Sequence, residues 1–552
     1  MEGASQGAMR PLALLERYQL SRINVGVPAT VCFTALVRLA PAPAPSDSDS
    51  DLGVALSDAV GVLLDRYPLL QCTVNGARTA APRWQRMPDP VDPARFLSLE
   101  PLVGATNHGA VISAAFESMS RVDPEHDPMW RVWAYTPAAA DSDSDSVRIV
   151  YATNHILTDG TGARNLFADL LALVLHPRSH HSSSASAASA STAATEVAPA
   201  MEAVFDLSSS YLALAKLVWT EFLRPKLAAP RLLLPSFLAS PVPATEAFHQ
   251  KPLVPPHLQP TAVRTGLVDL PAQVVTDLKA VARRNGVKTL HPVLYVAAWA
   301  AIEAQISSDA SSSRVVPITV VGSTPASVRT LAPSRLPTAT GNYVYEVHTS
   351  HSPRPTPATT NFWSECRSYA EKLIEPATRR NGLEAIGHLS LVPDGPLTLA
   401  AAEKQQGQSH RQPTTKFDAW MVERSRKAEP FETTFEVSNL GVLPSITTTT
   451  RIGDDAHTEP RGRDETGELV ELAWAQTAMT GTIFAINPIA TPAGDLSFTL
   501  TYRAGTVPES LVDAVWSSYG RILRTLATDQ IPAEEATFAR LADASTASSE
   551  SS

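Results

Sequence analysis

Apolar positions in the first part of the chain follow alternately a strand period and a helix period, which predicts an α/β protein. Segments rich in β-branched and aromatic residues predict strands at 27–39, 128–137 and 146–155. Segments with apolar residues three and four positions apart predict helices at 53–70 and 163–175. We expect the last two strands to be antiparallel neighbours and the first helix to stop at Pro68.

The second part of the chain repeats the mixture. Helices are predicted at 272–286, 289–306 and 510–527, and strands at 314–324 and 495–505. A proline-rich stretch between the two parts favours an extended connector. We therefore predict two α/β halves and divide the chain into an N-terminal half (1–245), a crossover linker (246–262), a C-terminal half (263–540) and a disordered tail (541–552).

Three low-complexity segments, 40–51, 138–146 and 179–200, lack the apolar residues needed to form a core, and we expect solvated loops there. The Asp-Ser repeats in the first two lack the glycine and terminal glutamate of a calcium loop. Another segment, 210–239, is strongly apolar with interspersed lysines and arginines and is interrupted by prolines. It could lie on a membrane or lipid droplet, wall an acceptor tunnel, or pack on the core; we favour the core or the tunnel wall.

Composition and charge narrow the classes of function. The net charge of −10 and the pI of about 5.8 argue against a nucleic-acid partner. Three scattered cysteines are too few for a disulfide framework or a cysteine zinc site, and we expect them to be buried apolar residues. The sequence has neither a secretory h-region nor 18 consecutive apolar residues, so we expect a cytoplasmic protein, with peripheral contact to membranes or lipid droplets as an alternative.

The segment "YATNHILTDGTG" (151–162) carries the clearest candidate chemistry. His155 follows a predicted strand and precedes a glycine-containing turn, so it could line a cleft and exchange protons near neutral pH. Asp159 could orient the ring, cap the next helix or pair with an arginine, and Gly160 allows a tight turn. The same spacing also occurs in ordinary turns, and no third residue nearby completes a metal site. The sequence contains no G-x-S-x-G, Walker A or G-x-G-x-x-G motif.

Taken together, several segments resemble the CoA-dependent acyltransferase superfamily, which includes chloramphenicol acetyltransferase, plant acyltransferases and condensation domains. "NHILTDGTG" looks like its H-x-x-x-D-G segment. Five further segments resemble superfamily segments in the expected order: "LLERYQLSRINVGVPATVCFTA", "LLDRYPLLQCTV", "DPMWRVWAY", "LKAVARRNGVKTLHPVLYVAAWAAI" and "RTLAPSRLPTATGNYVYEV". "FEVSNLGVL" resembles the S-N-L-G signature of fungal alcohol acetyltransferases. Position 154 is asparagine, whereas condensation domains usually carry two adjacent histidines, and the plant D-F-G-W-G motif is absent.

The resemblance implies two chloramphenicol acetyltransferase-like halves with a tunnel between them. It also implies His155 as the general base and Asp159 as structural support, pointing away from the tunnel and paired with an arginine, for which Arg329 and Arg22 are the candidates. Near the reacting carbonyl, the candidate substrate or oxyanion residues are Gly160, Ser438 and Asn439. Ser438 and Asn439 could equally hold a turn.

This resemblance predicts a CoA-dependent O-acyltransferase, with acetyl-CoA or another acyl-CoA as co-substrate, no permanently bound cofactor and no metal. The expected acceptor is a hydrophobic alcohol, secondary metabolite or glycolipid, and the expected state is a monomer. Alternatives are an N-acyltransferase or stand-alone condensation-type enzyme, and a catalytically silent protein that binds a lipid or acyl-CoA. The sequence leaves the acceptor, the donor chain length and the choice between O- and N-acylation open.

Overall fold

Three β-sheets and thirteen α-helices organise the described residues of the computed structural model. These residues are 8–39, 48–88, 90–101, 107–136, 146–176, 197–219, 259–308, 320–332, 336–351, 359–398, 411–425, 433–446, 467–478 and 481–547. Outside them lie parts 40–47, 138–145 and 179–196 of the predicted loops 40–51, 138–146 and 179–200. Parts 220–239, 246–258, 314–319 and 548–552 of other predicted segments also lie outside them.

The strands of the described residues form three sheets. They are β1 (Ala8–Pro11), β2 (Thr30–Arg38), β3 (Cys72–Asn75), β4 (Arg83–Arg86), β5 (Leu97–Pro101), β6 (Trp130–Thr136), β7 (Ser146–Asn154), β8 (Thr261–Thr265), β9 (Val320–Ser327), β10 (Val344–His351), β11 (Thr433–Val437), β12 (Glu468–Gln476), β13 (Thr482–Ala490) and β14 (Leu496–Arg503). The five-stranded sheet has the order β12-β2-β7-β6-β5, the six-stranded sheet has the order β10-β9-β11-β13-β14-β8, and a small sheet has the order β1-β4-β3. The two larger sheets meet where β12 packs against β13 and β14. As predicted, β6 and β7 are antiparallel neighbours.

Helices pack against these sheets and enclose two large apolar cores with them. They are α1 (Leu14–Asn24), α2 (Ser48–Arg66), α3 (His108–Ser120), α4 (Gly160–Leu175), α5 (Met201–Val204), α6 (Tyr211–Val218), α7 (Ala272–Arg284), α8 (His291–Ser308), α9 (Phe362–Ile374), α10 (Pro376–Gly387), α11 (Lys416–Ser425), α12 (Glu509–Ala527) and α13 (Phe538–Ala547). Trp84 and Trp130 are fully buried in the first core, and Trp299 and Trp516 lie in the second. All three cysteines are buried.

The division of the chain at 246–262 does not separate two independent sheets. Strand β12 comes from the C-terminal part of the sequence but pairs with β2 at the edge of the five-stranded sheet, for example through Trp474 and Phe33. The rings of these two residues also stack, with centroids 5.8 Å apart. Because strand pairing joins residues more than four hundred positions apart, local periodicity carries no signal for it.

Several predicted loop boundaries are wrong. Helix α2 starts at Ser48, inside the predicted loop 40–51, and β8 starts at Thr261, inside the predicted linker. Ala198, within the loop predicted at 179–200, is buried. The tail predicted from 541 continues helix α13 to residue 547, because the fully buried Leu541 anchors that helix in the second core.

The described start of the apolar segment 210–239 is not part of the core. Helix α6 has no buried residue, and Tyr211 and Leu212 are 93% and 82% exposed. Of the two favoured interpretations, core packing is therefore wrong for these residues, and the tunnel wall stays a prediction. Among the described helices, none has the length and apolarity required to cross a membrane.

Candidate active site

His155 stands immediately after β7, where the strand turns toward helix α4. Its main-chain amide donates to the carbonyl of Ala29 at 2.7 Å, which continues the pairing of β7 with β2 by one residue. The buried Asn154 accepts a hydrogen bond from the amide of Ile156 through its side-chain oxygen at 3.1 Å, closing the turn. The strand end and the turn thus fix the backbone that carries the imidazole, which is itself half-buried.

Asn342 contacts both the main chain and the ring of His155. Its side-chain amide donates to the carbonyl of His155 at 2.8 Å. The amide nitrogen of Asn342 lies 3.2 Å from Nδ1. Nδ1 thus faces Asn342, and Nε2 is the ring nitrogen without a hydrogen bond to any described residue.

Burial lowers the pKa of His155 below the ordinary histidine value, the nearby Asp159 carboxylate raises it, and the positive charge of Arg22 lowers it further. Because burial is the largest of these effects, the net direction is downward. The ring is consequently neutral at neutral pH, and a neutral imidazole is the form that accepts a proton.

Asp159 is buried and bonded on both oxygens. Oδ1 accepts from the amide of Gly162 at 2.9 Å and so caps helix α4. Oδ2 accepts from the guanidinium of Arg329 and from the amide of Tyr343, both at 2.9 Å. The carboxylate makes no hydrogen bond to the ring of His155, so its contacts are structural.

Of the two arginines considered as partners of Asp159, Arg329 makes the contact. It also donates to the carbonyl of Gly341 at 2.7 Å and lies over the ring of Tyr343, 4.8 Å from its centroid. The Nε of Arg22 instead donates to the carbonyl of Val27 at 3.2 Å. Arg22 is thus a buried cation near His155, and the prediction that it could pair with Asp159 is wrong.

Gly160 and the Ser438–Gly441 turn lie against each other. A Cβ at Gly160 would be 3.0 Å from Cδ2 of Leu440, and Arg164 of helix α4 donates to the carbonyl of Leu440. The side-chain oxygen of Asn439 accepts from the amide of Gly441 at 2.9 Å, which holds the turn. Ser438 is buried, and its hydroxyl makes no hydrogen bond to a described residue.

Gly162 has no room for a side chain. A Cβ there would be 2.1 Å from Oγ1 of Thr158 and 2.5 Å from the carbonyl oxygen of Ala339. The loop before β10 also joins the turn through the amide of Gly341, which donates to the carbonyl of Leu157 at 2.9 Å. Close backbone approach between the two halves therefore requires glycine at position 162.

A buried carboxyl lies on the opposite sheet. Glu436 of β11 accepts from the side-chain amide of Gln476 at the end of β12. Burial, followed by repulsion from Glu346, raises the pKa of Glu436 to about 8. The carboxyl is therefore largely neutral at neutral pH.

Sequence reasoning did not single out Asn342, Glu436, Gln476 or the amide of Tyr343. Asn342 and Tyr343 stand in the "TATGNYVYEV" segment, whose resemblance to superfamily members was the available signal. Glu436 directly precedes the "VSNLG" segment, but its role depends on the crossing of β12. Within the described ranges, no three histidine, cysteine or carboxylate residues converge as a metal site.

A family model for alcohol acetyltransferase matches residues 106–395. The structure is similar to a trichothecene 15-O-acetyltransferase from Fusarium sporotrichioides, with a TM-score of 0.59, 12% identity and coverage of 94% of each chain. It is also similar to the epimerization domain from the third module of tyrocidine synthetase B, with a TM-score of 0.53, 12% identity and coverage of 96% of this chain and 98% of that one. A third similar structure is the first condensation domain of the CDA synthetase, with a TM-score of 0.51, 12% identity and coverage of 97% of this chain and 99% of that one. No curated protein matches the chain by sequence. These likenesses confirm the predicted two-lobed α/β fold class.

Proposed function

Because the chain belongs to the alcohol acetyltransferase family and is a CoA-dependent acyltransferase, we propose that it transfers an acetyl group from acetyl-CoA to a hydroxyl of a hydrophobic acceptor. A hydrophobic alcohol, a secondary metabolite or a glycolipid would supply that hydroxyl. The general base is His155. The observation that carries this proposal is the imidazole itself, whose Nδ1 lies 3.2 Å from the amide nitrogen of Asn342 and whose Nε2 makes no hydrogen bond to a described residue.

The reaction is a direct acyl transfer. Nε2 of His155 takes the proton of the acceptor hydroxyl while the oxygen attacks the thioester carbonyl. The tetrahedral intermediate then collapses, the carbon–sulfur bond breaks, and the imidazolium returns the proton to the departing thiolate. General base catalysis of this kind contributes about two to four powers of ten in rate, and positioning both substrates contributes further.

Ser438 is the proposed donor to the oxyanion. Its hydroxyl makes no hydrogen bond to a described residue, and its turn packs on the glycine that follows Asp159. Asn439 is a weaker candidate, since its side-chain oxygen accepts from the Gly441 amide. Asp159 and Arg329 act by fixing the turn that carries His155.

We also propose that the enzyme works as a cytoplasmic monomer that can touch lipid surfaces. Support for lipid contact comes from helix α6, where Tyr211 and Leu212 are exposed. Exposed aromatic and aliphatic side chains favour an interface between water and lipid.

The test uses purified enzyme with acetyl-CoA and longer acyl-CoA donors against alcohols, amines and glycolipids. We expect acceptor-dependent release of free thiol, an O-acetylated product by mass spectrometry, and no acetylated enzyme when the acceptor is omitted. Acylated amines would establish N-acylation instead. Thiol release without any acylated acceptor, or no release with any acceptor, would contradict the proposal.

A further inference from the structure

The six-stranded sheet turns a polar face toward the five-stranded sheet. Thr499 of β14 donates its hydroxyl hydrogen to the carbonyl of Trp474 in β12 at 2.7 Å, and Glu436 of β11 bonds to Gln476 of the same strand. Side chains on a strand alternate between faces. Thr501 and Arg503 therefore share this face with Thr499, and we call it the inner face.

Arg503 is a buried cation on the inner face with unused donors. It is 6% exposed, and its Nη1 donates to the carbonyl of Gln259 at 2.8 Å. Its Nε and Nη2 are buried and have no acceptor among the described residues. The hydroxyl of Thr501, two residues earlier on the same face, is also buried without a partner.

A buried guanidinium without an anion is costly, since desolvation is not offset by a countercharge. Burial, with repulsion from Arg22 as a smaller effect, lowers the pKa of Arg503 to about 9. The group therefore remains cationic at neutral pH. No described carboxylate lies within ion-pair distance of it, so an anion from outside the described residues would compensate its charge.

Strand pairing and hydrogen bonds connect Arg503 to the candidate active site. Its strand partner is Thr261, whose hydroxyl oxygen accepts from the amide of Ala478 at 3.2 Å. The preceding Thr477 donates its amide hydrogen to the carbonyl of Thr30 at 2.9 Å, and Thr30 pairs with Asn154, the residue before His155.

The charge of Arg22 also links Arg503 to the candidate active site. The positive charge of Arg22 acts on His155 and also on Arg503. Arg22 is thus close enough to act on both the proposed base and Arg503.

We propose that Arg503 binds a carboxylate of the acyl acceptor, while the acceptor's hydroxyl lies at His155. The inference rests on the proposed acyl transfer and narrows its acceptor to amphipathic hydroxy acids. The two unused guanidinium donors bind the carboxylate, and the hydroxyl of Thr501 supplies a further donor. A phosphate of the CoA donor has related chemistry and is the other source of an anion.

The test compares ω-hydroxy fatty acids of increasing chain length with their methyl esters, which lack the negative charge and carry one additional methyl group. Wild type is compared with Arg503→Met, which removes the charge, and Arg503→Lys, which keeps it without the forked donors. Arg264→Met is the matched control, because Arg264 lies on the next strand and makes exposed ion pairs with Glu509 and Asp513. Thermal unfolding of each variant verifies that it folds.

We expect wild type and Arg264→Met to prefer the acid over the ester by about 10- to 100-fold in kcat/KM at the best chain length, the effect of charge-assisted hydrogen bonds. Arg503→Met should lose this preference and Arg503→Lys should keep part of it. An unchanged preference in folded Arg503→Met, or no preference for the acid at any length in wild type, would overturn the proposal.

Two further arms separate the alternatives. If Arg503→Met instead raises KM for acetyl-CoA and removes its advantage over dephospho-acetyl-CoA, the anion belongs to the donor and the acceptor site is overturned. Calorimetric titration with the acids measures binding without turnover. If the acids bind in a manner that depends on Arg503 but no acyl group is transferred, the Arg503 site is supported and the acyl-transfer function is contradicted. If acyl groups are transferred without a preference for the acid over its methyl ester, the acyl-transfer function is supported and the Arg503 site is contradicted. No transfer and no binding of any acid would overturn the site.

Discussion

The buried ion pair between Asp159 and Arg329 makes the most quantitative prediction. In Asp159→Asn the side chain keeps its shape but loses its charge and one acceptor. The remaining oxygen can serve either the Gly162 amide that caps helix α4 or the group formed by Arg329 and the Tyr343 amide. In either orientation the Arg329 guanidinium stays buried without a countercharge.

Removing one partner of a buried ion pair typically costs about 3–5 kcal/mol. Asp159→Asn should therefore lower the free energy of unfolding by about that amount, and Arg329→Met by at least as much, because Arg329 also binds the carbonyl of Gly341. The double variant should lose little more than Arg329→Met alone. The expected coupling energy is thus about 3 kcal/mol, at the upper end of values for neighbouring residues.

Urea unfolding of the four proteins measures the coupling, and kcat measured under folded conditions follows the position of His155. We expect kcat to fall in both single variants more than KM rises, since the pair fixes the turn and does not touch substrate. Additive free energies, or a kcat unchanged in folded Asp159→Asn, would refute the role assigned to the pair.

Three further predictions follow from the site. Burial lowers the pKa of His155, so the acidic limb of the pH profile of kcat/KM should lie below the ordinary histidine pKa. Arg22→Met removes a positive charge that also lowers this pKa, so it should move the limb to higher pH. A wild-type limb above the ordinary histidine pKa would contradict this prediction. Gly162→Ala should destabilise the protein and reduce activity because its Cβ would collide with Thr158 and Ala339. The control Gly61→Ala in helix α2, where a Cβ meets nothing within 4 Å, should stabilise the protein by about 0.4–1 kcal/mol. Equal effects of the two variants in thermal unfolding would count against the packing argument. Between pH 4.5 and about 8, Glu436 is neutral in the folded protein and ionised in the unfolded chain, so the free energy of unfolding should fall as pH rises through that window. Urea unfolding of Glu436→Gln should show a smaller fall than wild type. The same slope in both proteins would argue that Glu436 is already ionised in the folded protein.

Local sequence patterns predicted the elements that carry the candidate base. The apolar, β-branched segment before His155 corresponds to β7, which is buried on both faces from residue 147 to 154. The helical spacing after Gly160 corresponds to α4. Resemblance to the superfamily, rather than periodicity, provided the candidates for the partner of Asp159. Only the fold distinguished Arg329 from Arg22, since both are distant in sequence.

Features that depend on long-range pairing could not be predicted from local patterns. Gln476 reaches Glu436 because β12 crosses to the other sheet, and Arg503 ends an ordinary amphipathic strand. The segment before Phe538 gave no sign that the following residues would form a helix, because that helix is fixed by burial of Leu541 in the second core. Burial at these positions is a property of the assembled sheets.

The central claim is that His155 is the base of an acyl transfer. The most direct measurement is the rate of acceptor-dependent thiol release by His155→Ala beside wild type, at saturating acetyl-CoA and with the best acceptor. We predict a loss of about two to four powers of ten in kcat, with the unfolding temperature close to that of wild type. A folded His155→Ala variant that transfers acetyl groups at the wild-type rate would contradict the claim.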